Sequence, residues 1–397
     1  MLTISNKGRL MPESPIRKLV PYAEKAKKNG VKVFHLNIGQ PDIETPNSAI
    51  QAVKNSNIKV LAYSKSEGDF ELRNKICDYY SKINVEINES QVIVTSGASE
   101  ALLFTIGSIM DPGNEIIIPE PFYANYNGFS VANGVNIVPI FSSIDNNFEL
   151  PKIHEFENLI SPDTKAILIC NPNNPTGYVY SYDEIKTLVE IVKKHNLFLI
   201  ADEVYREFTY DNVSHTSILQ FDDIKQHAIV IDSVSKRYSM CGARIGCIIS
   251  KNSEFISTAM KFAQARLSPP TLAQIASTAV MDTGDDYFDK VINEYNNRRK
   301  TLVEGLNKIP GVKVSEPKGA FYCVVELPLD NSEHFAKWLL EEYSLNNETI
   351  MIAPAAGFYS TPNIGLNQVR IAYVLNQNDL KSCINILKNG LMEYLKQ

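Results

Sequence analysis

Lys236 stands in the segment Ser233-Val234-Ser235-Lys236-Arg237, and Arg244 follows eight positions later. A lysine crowded by like charge and partly withdrawn from water is pushed toward its neutral form, which makes a nucleophilic amine. Asp202 closes the apolar run Leu197–Ala201, where a carboxylate is costly unless it meets a cation or several donors. Ser96-Gly97-Ala98-Ser99 opens a helical pattern, so its backbone N–H groups and hydroxyl could hold an anion such as phosphate. Asn171-Pro172-Asn173-Asn174-Pro175-Thr176-Gly177 adds a fourth polar cluster. Taken singly, each has a plainer reading. Lys236 reads as a solvated lysine, Asp202 as a helix cap and Gly97-Ala98-Ser99 as a strand-to-helix turn.

All four clusters follow short apolar runs. QVIVT (91–95), KAILIC (165–170), LFLIAD (197–202) and AIVIDS (228–233) precede them, with EIIIP (115–119) and RIGCIIS (244–250) nearby. Such runs read as strands buried on both faces, and their alternation with helical patterns predicts an α/β fold around a mostly parallel sheet. An open parallel sheet presents ligands to the carboxyl ends of its strands, so the four clusters would face one crevice. Helices are expected at 98–110, 122–133 and 181–194, the last with a Ser181/Glu184 capping box. Residues 14–29 read as a helix capped by Ser14, with Pro15 first and Gly30 at the end. A long polar helix spans 284–308. After it come strand pieces (KVSE, AFYCVVEL, 350–353, 368–373) and helices at 332–343 and 377–394. These ends form a second, smaller α+β unit. The expected division is a large domain at 46–285 and a discontinuous small domain at 1–45 and 286–397.

The 397 residues carry 39 Lys plus Arg against 45 Asp plus Glu, a net charge of −6. That balance disfavours nucleic acid as a partner, because phosphate backbones reward clustered positive charge. No apolar segment reaches membrane-spanning length and the start lacks a signal-peptide core. The six cysteines form no CxxC pair, and the six histidines are scattered without HExxH. Reduced thiols, a cytoplasmic location and no metal site are expected. Neither GxxxxGK[ST] nor GxGxxG occurs, so phosphate cradling of the ATP type and dinucleotide-dependent hydride transfer are not supported.

A lysine amine, a phosphate cup with an arginine, and a carboxylate for a ring nitrogen together match one cofactor, pyridoxal 5'-phosphate. The ordered motifs extend this. They are Asn37-Ile38-Gly39-Gln40-Pro41-Asp42, Tyr63…Gly68, Ser96 to Ala101, Asn171 to Gly177, Asp202-Glu203-Val204-Tyr205, Ser233 to Lys236, Gly242 to Gly246, Gly319-Ala320-Phe321-Tyr322 and Val369-Arg370-Ile371. In this order they resemble the class I, fold-type I pyridoxal-phosphate aminotransferases, most closely the bacterial aspartate aminotransferases. The resemblance runs from about residue 12 to the end of the chain. It implies a seven-stranded, mostly parallel sheet sandwiched by helices.

The resemblance also implies roles. Lys236 would hold the cofactor as an aldimine and later move the substrate proton. Asp202 would keep the ring nitrogen protonated. Tyr205 and Asn174 would hydrogen-bond the ring oxygen, and Tyr123 would stack on the ring. Gly97, Ala98, Ser99, Ser233 and Arg244 would hold the phosphate, joined by Tyr63 from the partner of a homodimer. Arg370 would take the substrate α-carboxylate, assisted by Asn174 and Gly39. Glu120–Pro121 and Asn174–Pro175 match places where the family uses cis peptides. The reaction would be ping-pong transamination, with aspartate or glutamate exchanging its amino group with a 2-oxo acid such as 2-oxoglutarate. Aromatic or other amino acids, or β-elimination on the same fold, remain alternatives. The distal carboxylate has no standard reader here, because Ala263 and Ser99 occupy the positions where relatives carry Arg or Lys. Arg266, from the neighbouring subunit, and Arg17, on the segment that closes the pocket, are the candidates.

Overall fold

The computed structural model describes residues 2–397. Seven strands form the central sheet, in the spatial order Val92–Thr95, Gly246–Ile249, Ala228–Ser233, Phe198–Asp202, Thr164–Cys170, Glu115–Glu120 and Asn136–Phe141. Only Gly246–Ile249 runs against its neighbours. Side chains alternate across a strand, so Ile116, Leu168, Ile200 and Ile231 enter one apolar cluster while Ile117, Ile167, Leu199 and Val230 enter another. Both faces are therefore apolar, and helices cover both, as expected for parallel strands without a solvent face.

Local chemistry sets the boundaries. The helix Tyr182–His195 begins with the predicted capping box: Ser181 accepts from the Glu184 N–H while the Glu184 carboxylate accepts from the Ser181 N–H. Such a cap contributes about 1 kcal/mol. Its last turn carries Lys193, Lys194 and His195, which complement the helix dipole. The edge strand Asn136–Phe141 and the strand Lys32–His35 escape the sequence reading, the first because its exposed edge breaks the apolar run.

Lys32–His35 pairs in parallel with Glu348–Met351. A four-stranded antiparallel sheet joins Ala353–Pro354, Gln368–Ala372, Tyr322–Glu326 and Lys313–Val314. The helices Asp285–Leu306 and Gln377–Tyr394 pack on each other beside it. Arg370 lies mid-strand, opposite Val324 on one side and Ala353 on the other, which fixes its backbone rigidly.

Two expectations need correction. The helix predicted over 14–29 starts at Val20 and ends at Lys28, with Pro21 in its first turn instead of Pro15. Residues 15–19 form turns: the Asn37 amide donates to the Ile16 carbonyl at 2.8 Å, and the Val20 N–H, which a continuous helix would direct to Ile16, bonds the Arg17 carbonyl. The cis peptides are Glu120–Pro121, as expected, and Asn171–Pro172 in place of Asn174–Pro175. Pro175 instead sits in a turn closed by Asn173, whose N–H donates to the Tyr178 carbonyl and whose own carbonyl accepts from Gly177.

Candidate active site

The carboxyl ends of the central strands open into a cleft of about 730 Å³. Its walls bring together Gly39, Ala98, Ser99, Tyr123, Asn174, Asp202, Tyr205, Ser233, Lys236, Arg244 and Arg370, residues separated by hundreds of positions in the chain. Lys236 follows the strand Ala228–Ser233 in a single helical turn, and its Nζ donates to the Gly39 carbonyl at 2.8 Å. The sulfur of Cys241 lies 3.6 Å from the same nitrogen.

Asp202 ends its strand 4 % exposed. Burial drives its carboxyl up to about 6, against the opposing pull of the hydrogen bond from Tyr126. That hydroxyl donates to Asp202 Oδ2 at 2.8 Å. A buried carboxylate this poorly paired is a ready partner for a protonated heterocycle.

An anion could be held at the start of the helix Ala98–Ile109, where the N–H groups of Ala98 and Ser99 precede the first bonds, those of Glu100 and Ala101 to the Gly97 carbonyl. Gly97 precedes it with φ +83°, and a Cβ there would sit 2.3 Å from the Arg244 guanidinium. Arg244, itself at φ +55°, is anchored by its bond to the Cys241 carbonyl. The Ser233 hydroxyl contacts the Ile245 carbonyl and the Ser235 hydroxyl, and both serines line the cleft beside Arg244.

Arg370 is 1 % exposed and bonds Asn174 Oδ1 at 3.0 Å and the Asn37 carbonyl at 2.5 Å. Its guanidinium lies between the rings of Tyr322 and Phe358, 4.5 and 4.8 Å from their centroids. Its Nε is buried without a partner. No carboxylate neutralises it within the structure described, so it is poised for an anionic ligand. Because Asn174 accepts from Arg370 through its oxygen, its amide N–H₂ is left to donate into the cleft. Tyr205 shares a 2.9 Å hydroxyl contact with Tyr322. Gly39 is required here, since a Cβ would fall 1.7 Å from the Tyr322 hydroxyl.

The remaining candidates divide. Tyr63 is 81 % exposed and stands outside the cleft of its own chain. Arg17 lines the cleft. Arg266 does not: its guanidinium pairs with Glu100 and bonds the Ser66 and Val94 carbonyls, so its charge is already spent. Sequence reading missed Tyr126, Ser235, Cys241 and the role of Tyr322. For Tyr322 the motif Gly319–Tyr322 was a signal, while nothing adjacent to Tyr126 marks it.

A phosphate cup, a buried acid, two phenols and a lysine around one cleft fit pyridoxal phosphate. They define the class as a fold-type I pyridoxal-phosphate enzyme. The family model described as "Aminotransferase class I and II" matches residues 31–387. An aspartate aminotransferase of Pyrococcus horikoshii is 30 % identical over 98 % of this chain and 97 % of its own. Among solved structures, the aspartate aminotransferase of Thermus thermophilus with maleate superposes with TM-score 0.89 at 25 % identity, covering 98 % of this chain and all of its own. An alanine aminotransferase of Pyrococcus furiosus gives 0.90 at 28 % identity over 98 % of this chain and all of its own. The chain belongs to the class I and II aminotransferases and is a pyridoxal-phosphate-dependent enzyme that moves amino groups.

Proposed function

We propose that the chain exchanges amino groups between the dicarboxylic L-amino acids aspartate and glutamate and their 2-oxo acids, in two half-reactions on one site. Four cations line the cleft: Arg17, Lys236, Arg244 and Arg370. Lys236 is the reactive amine, Arg244 holds phosphate and Arg370 takes the α-carboxylate, which leaves Arg17 for a second carboxylate. That surplus cation carries the reading. The named activity of the Pyrococcus horikoshii relative and the maleate held by the Thermus structure support it.

When bound, pyridoxal phosphate supplies an aldehyde for the amine and a ring that absorbs electrons. The protein supplies the rest. Asp202 would hold the ring nitrogen's proton, Asn174 and Tyr205 would hydrogen-bond the ring oxygen, and Tyr123 would stack on the ring. Lys236 would move the substrate proton as general base and acid. The small unit (1–45 with 286–397) would close over the large one, bringing Arg17 to the substrate and excluding water. A homodimer is part of the proposal. Tyr63 is exposed beside Val60 and Leu61, 77 % and 63 % exposed, an apolar surface that suits a second copy. The six cysteines are free thiols, in keeping with a cytoplasmic location.

The alanine aminotransferase neighbour favours one alternative, a donor without a distal carboxylate. A donor panel against 2-oxoglutarate, run on wild type and Arg17→Ala, decides. Removing the surplus cation should lower kcat/KM for aspartate by roughly 100-fold and leave alanine within about twofold, the scale of one charge-assisted contact. Equal losses for both donors, or none, refute the dicarboxylate reading.

A further inference from the structure

Beneath the cleft lies a cluster of charged side chains that none of the roles above uses. Asp232 is its centre. Its carboxylate accepts from Arg237 Nη2 at 2.9 and 2.7 Å, from Arg206 Nη2 at 3.0 Å and from the Tyr80 hydroxyl at 3.1 Å. It also accepts the Ser233 N–H at 2.7 Å. Arg237 continues to Glu207, with Nε and Oε2 3.0 Å apart. Arg206 approaches Glu203, and Glu203 approaches His215, each at 3.8 Å. Tyr79 and Tyr80, from the helix Phe70–Ser81, form the floor, with the guanidinium of Arg237 over the first ring at 4.0 Å and that of Arg206 over the second at 4.2 Å. Arg206, Asp232 and Arg237 side chains are only 3–4 % exposed.

The order along the chain gives the cluster meaning. Asp202 and Tyr205 face the cleft, and the next residue after each, Glu203 and Arg206, enters the cluster. Ser233 and Lys236 face the cleft, and Asp232 and Arg237 beside them enter the cluster. Two segments leave the adjacent parallel strands Phe198–Asp202 and Ala228–Ser233, and Asp202, Tyr205, Ser233 and Lys236 each have a charged neighbour on the other side. Loops after strands have few backbone restraints of their own. Asp232, at the end of its strand, bonds one arginine from each segment and the Ser233 N–H, so it ties the two segments together. Stability is a poor reason for such an arrangement, since a buried ion pair commonly offsets little more than its own desolvation.

We infer that Asp232, Arg206 and Arg237 are positioning residues: they lock the loop that carries Asp202 and Tyr205 to the loop that carries Ser233 and Lys236, and so fix the amine relative to the cofactor ring. The inference rests on the assignment of Lys236 and Asp202 to the cofactor. If that assignment fails, wild type itself shows no visible cofactor band. Failure of the positioning role shows instead as variants identical to wild type.

Asp232→Asn keeps the shape and removes the charge. Three measurements apply: kcat and KM for the amino donor, visible circular dichroism of the loaded protein, and the dissociation constant of pyridoxal phosphate from the stripped protein. The expected result is a fall in kcat of between about tenfold and 100-fold with KM nearly unchanged, the scale of a small misplacement of reacting groups. The visible dichroism should drop by about half and the dissociation constant should rise roughly tenfold, because the amine and phosphate ligands no longer act together. Arg237→Lys should fall between wild type and Asp232→Asn, since a point charge cannot bridge Asp232 and Glu207 as a planar fork does. Thermal unfolding of the stripped proteins separates a folded variant from a collapsed one. If Asp232→Asn does not accumulate as folded protein, Tyr80→Phe, which removes one neutral donor, is read by the same dichroism and affinity. Folded variants with unchanged kcat, dichroism and affinity overturn the inference.

Discussion

Tyr126 donates to Asp202 at 2.8 Å from the first turn of the helix Asn125–Asn133, and it is the main force holding that carboxyl's proton affinity down. Tyr126→Phe removes the bond and leaves a buried oxygen unpaired, a cost of about 1–2 kcal/mol. The Asp202 carboxyl should then rise further, and the rate of amino transfer at neutral pH should fall roughly tenfold, since 1.4 kcal/mol is one decade. A pH–rate profile whose acidic limb moves upward checks this, and an unmoved limb contradicts it. At this scale the ordered motifs of the chain pointed to Lys236, Asp202, Asn174, Tyr205, Arg244 and Arg370, and the fold brings all six to one cleft. Tyr126 was not, because its meaning depends on which strand end its helix lies over. Charge and position relative to Pro269-Pro270 singled out Arg266 but say nothing of Glu100, which is distant in sequence and pairs with it within the chain.

The junction between the strand Val92–Thr95 and the helix Ala98–Ile109 shows how an element positions ligands. Gly97 must adopt φ +83° there and must admit the Arg244 guanidinium against its bare Cα. An alanine is strained on the first count and collides on the second. Gly97→Ala should therefore leave the far-ultraviolet dichroism intact while weakening pyridoxal phosphate binding by at least about tenfold, as expected for a donor set moved off its anion. Equilibrium dialysis of the stripped protein measures this, and undiminished affinity would deny the cup its role. The helix Val20–Lys28 carries the opposite lesson. Propensity and a Ser-Pro start placed its beginning at 14, yet the Asn37 amide holds Ile16 in a turn at the cleft mouth. A tertiary contact outweighed the local signal where the segment serves the site.

Over the whole molecule, burial of acids at and beneath the cleft sets a pH dependence. The Asp202 carboxyl is raised from 3.8 to about 6, and Glu203 from 4.5 to about 7, in both cases chiefly by burial. A group that binds its proton more tightly when folded stabilises the fold fully below its ordinary value. That contribution is lost as pH climbs through the raised value. For Asp202 the window runs from about pH 4 to just above 6, and roughly two units correspond to about 3 kcal/mol. In cofactor-free protein, Asp202→Asn should therefore gain stability over wild type as pH rises through this window. Urea unfolding at a series of pH values reads the difference, and a gap that stays constant with pH would contradict the account. The strain falls away when a cation sits beside Asp202, so a site costly to fold empty favours its cofactor.

The chain alone determined the α/β class, the parallel sheet and the cofactor, because apolar runs that end in polar clusters report both a strand and what waits beyond it. It also pointed to most of the residues that the fold brings to the cleft, since they sit in motifs read along the backbone. Only the folded molecule decided which charges are free and which are spent. Arg370 is left open between two rings, Arg266 is consumed by Glu100, and Asp232 gathers two arginines from different loops. The physical reason is that a charge's availability depends on partners brought within a few ångströms by packing, and those partners are remote in the order of residues.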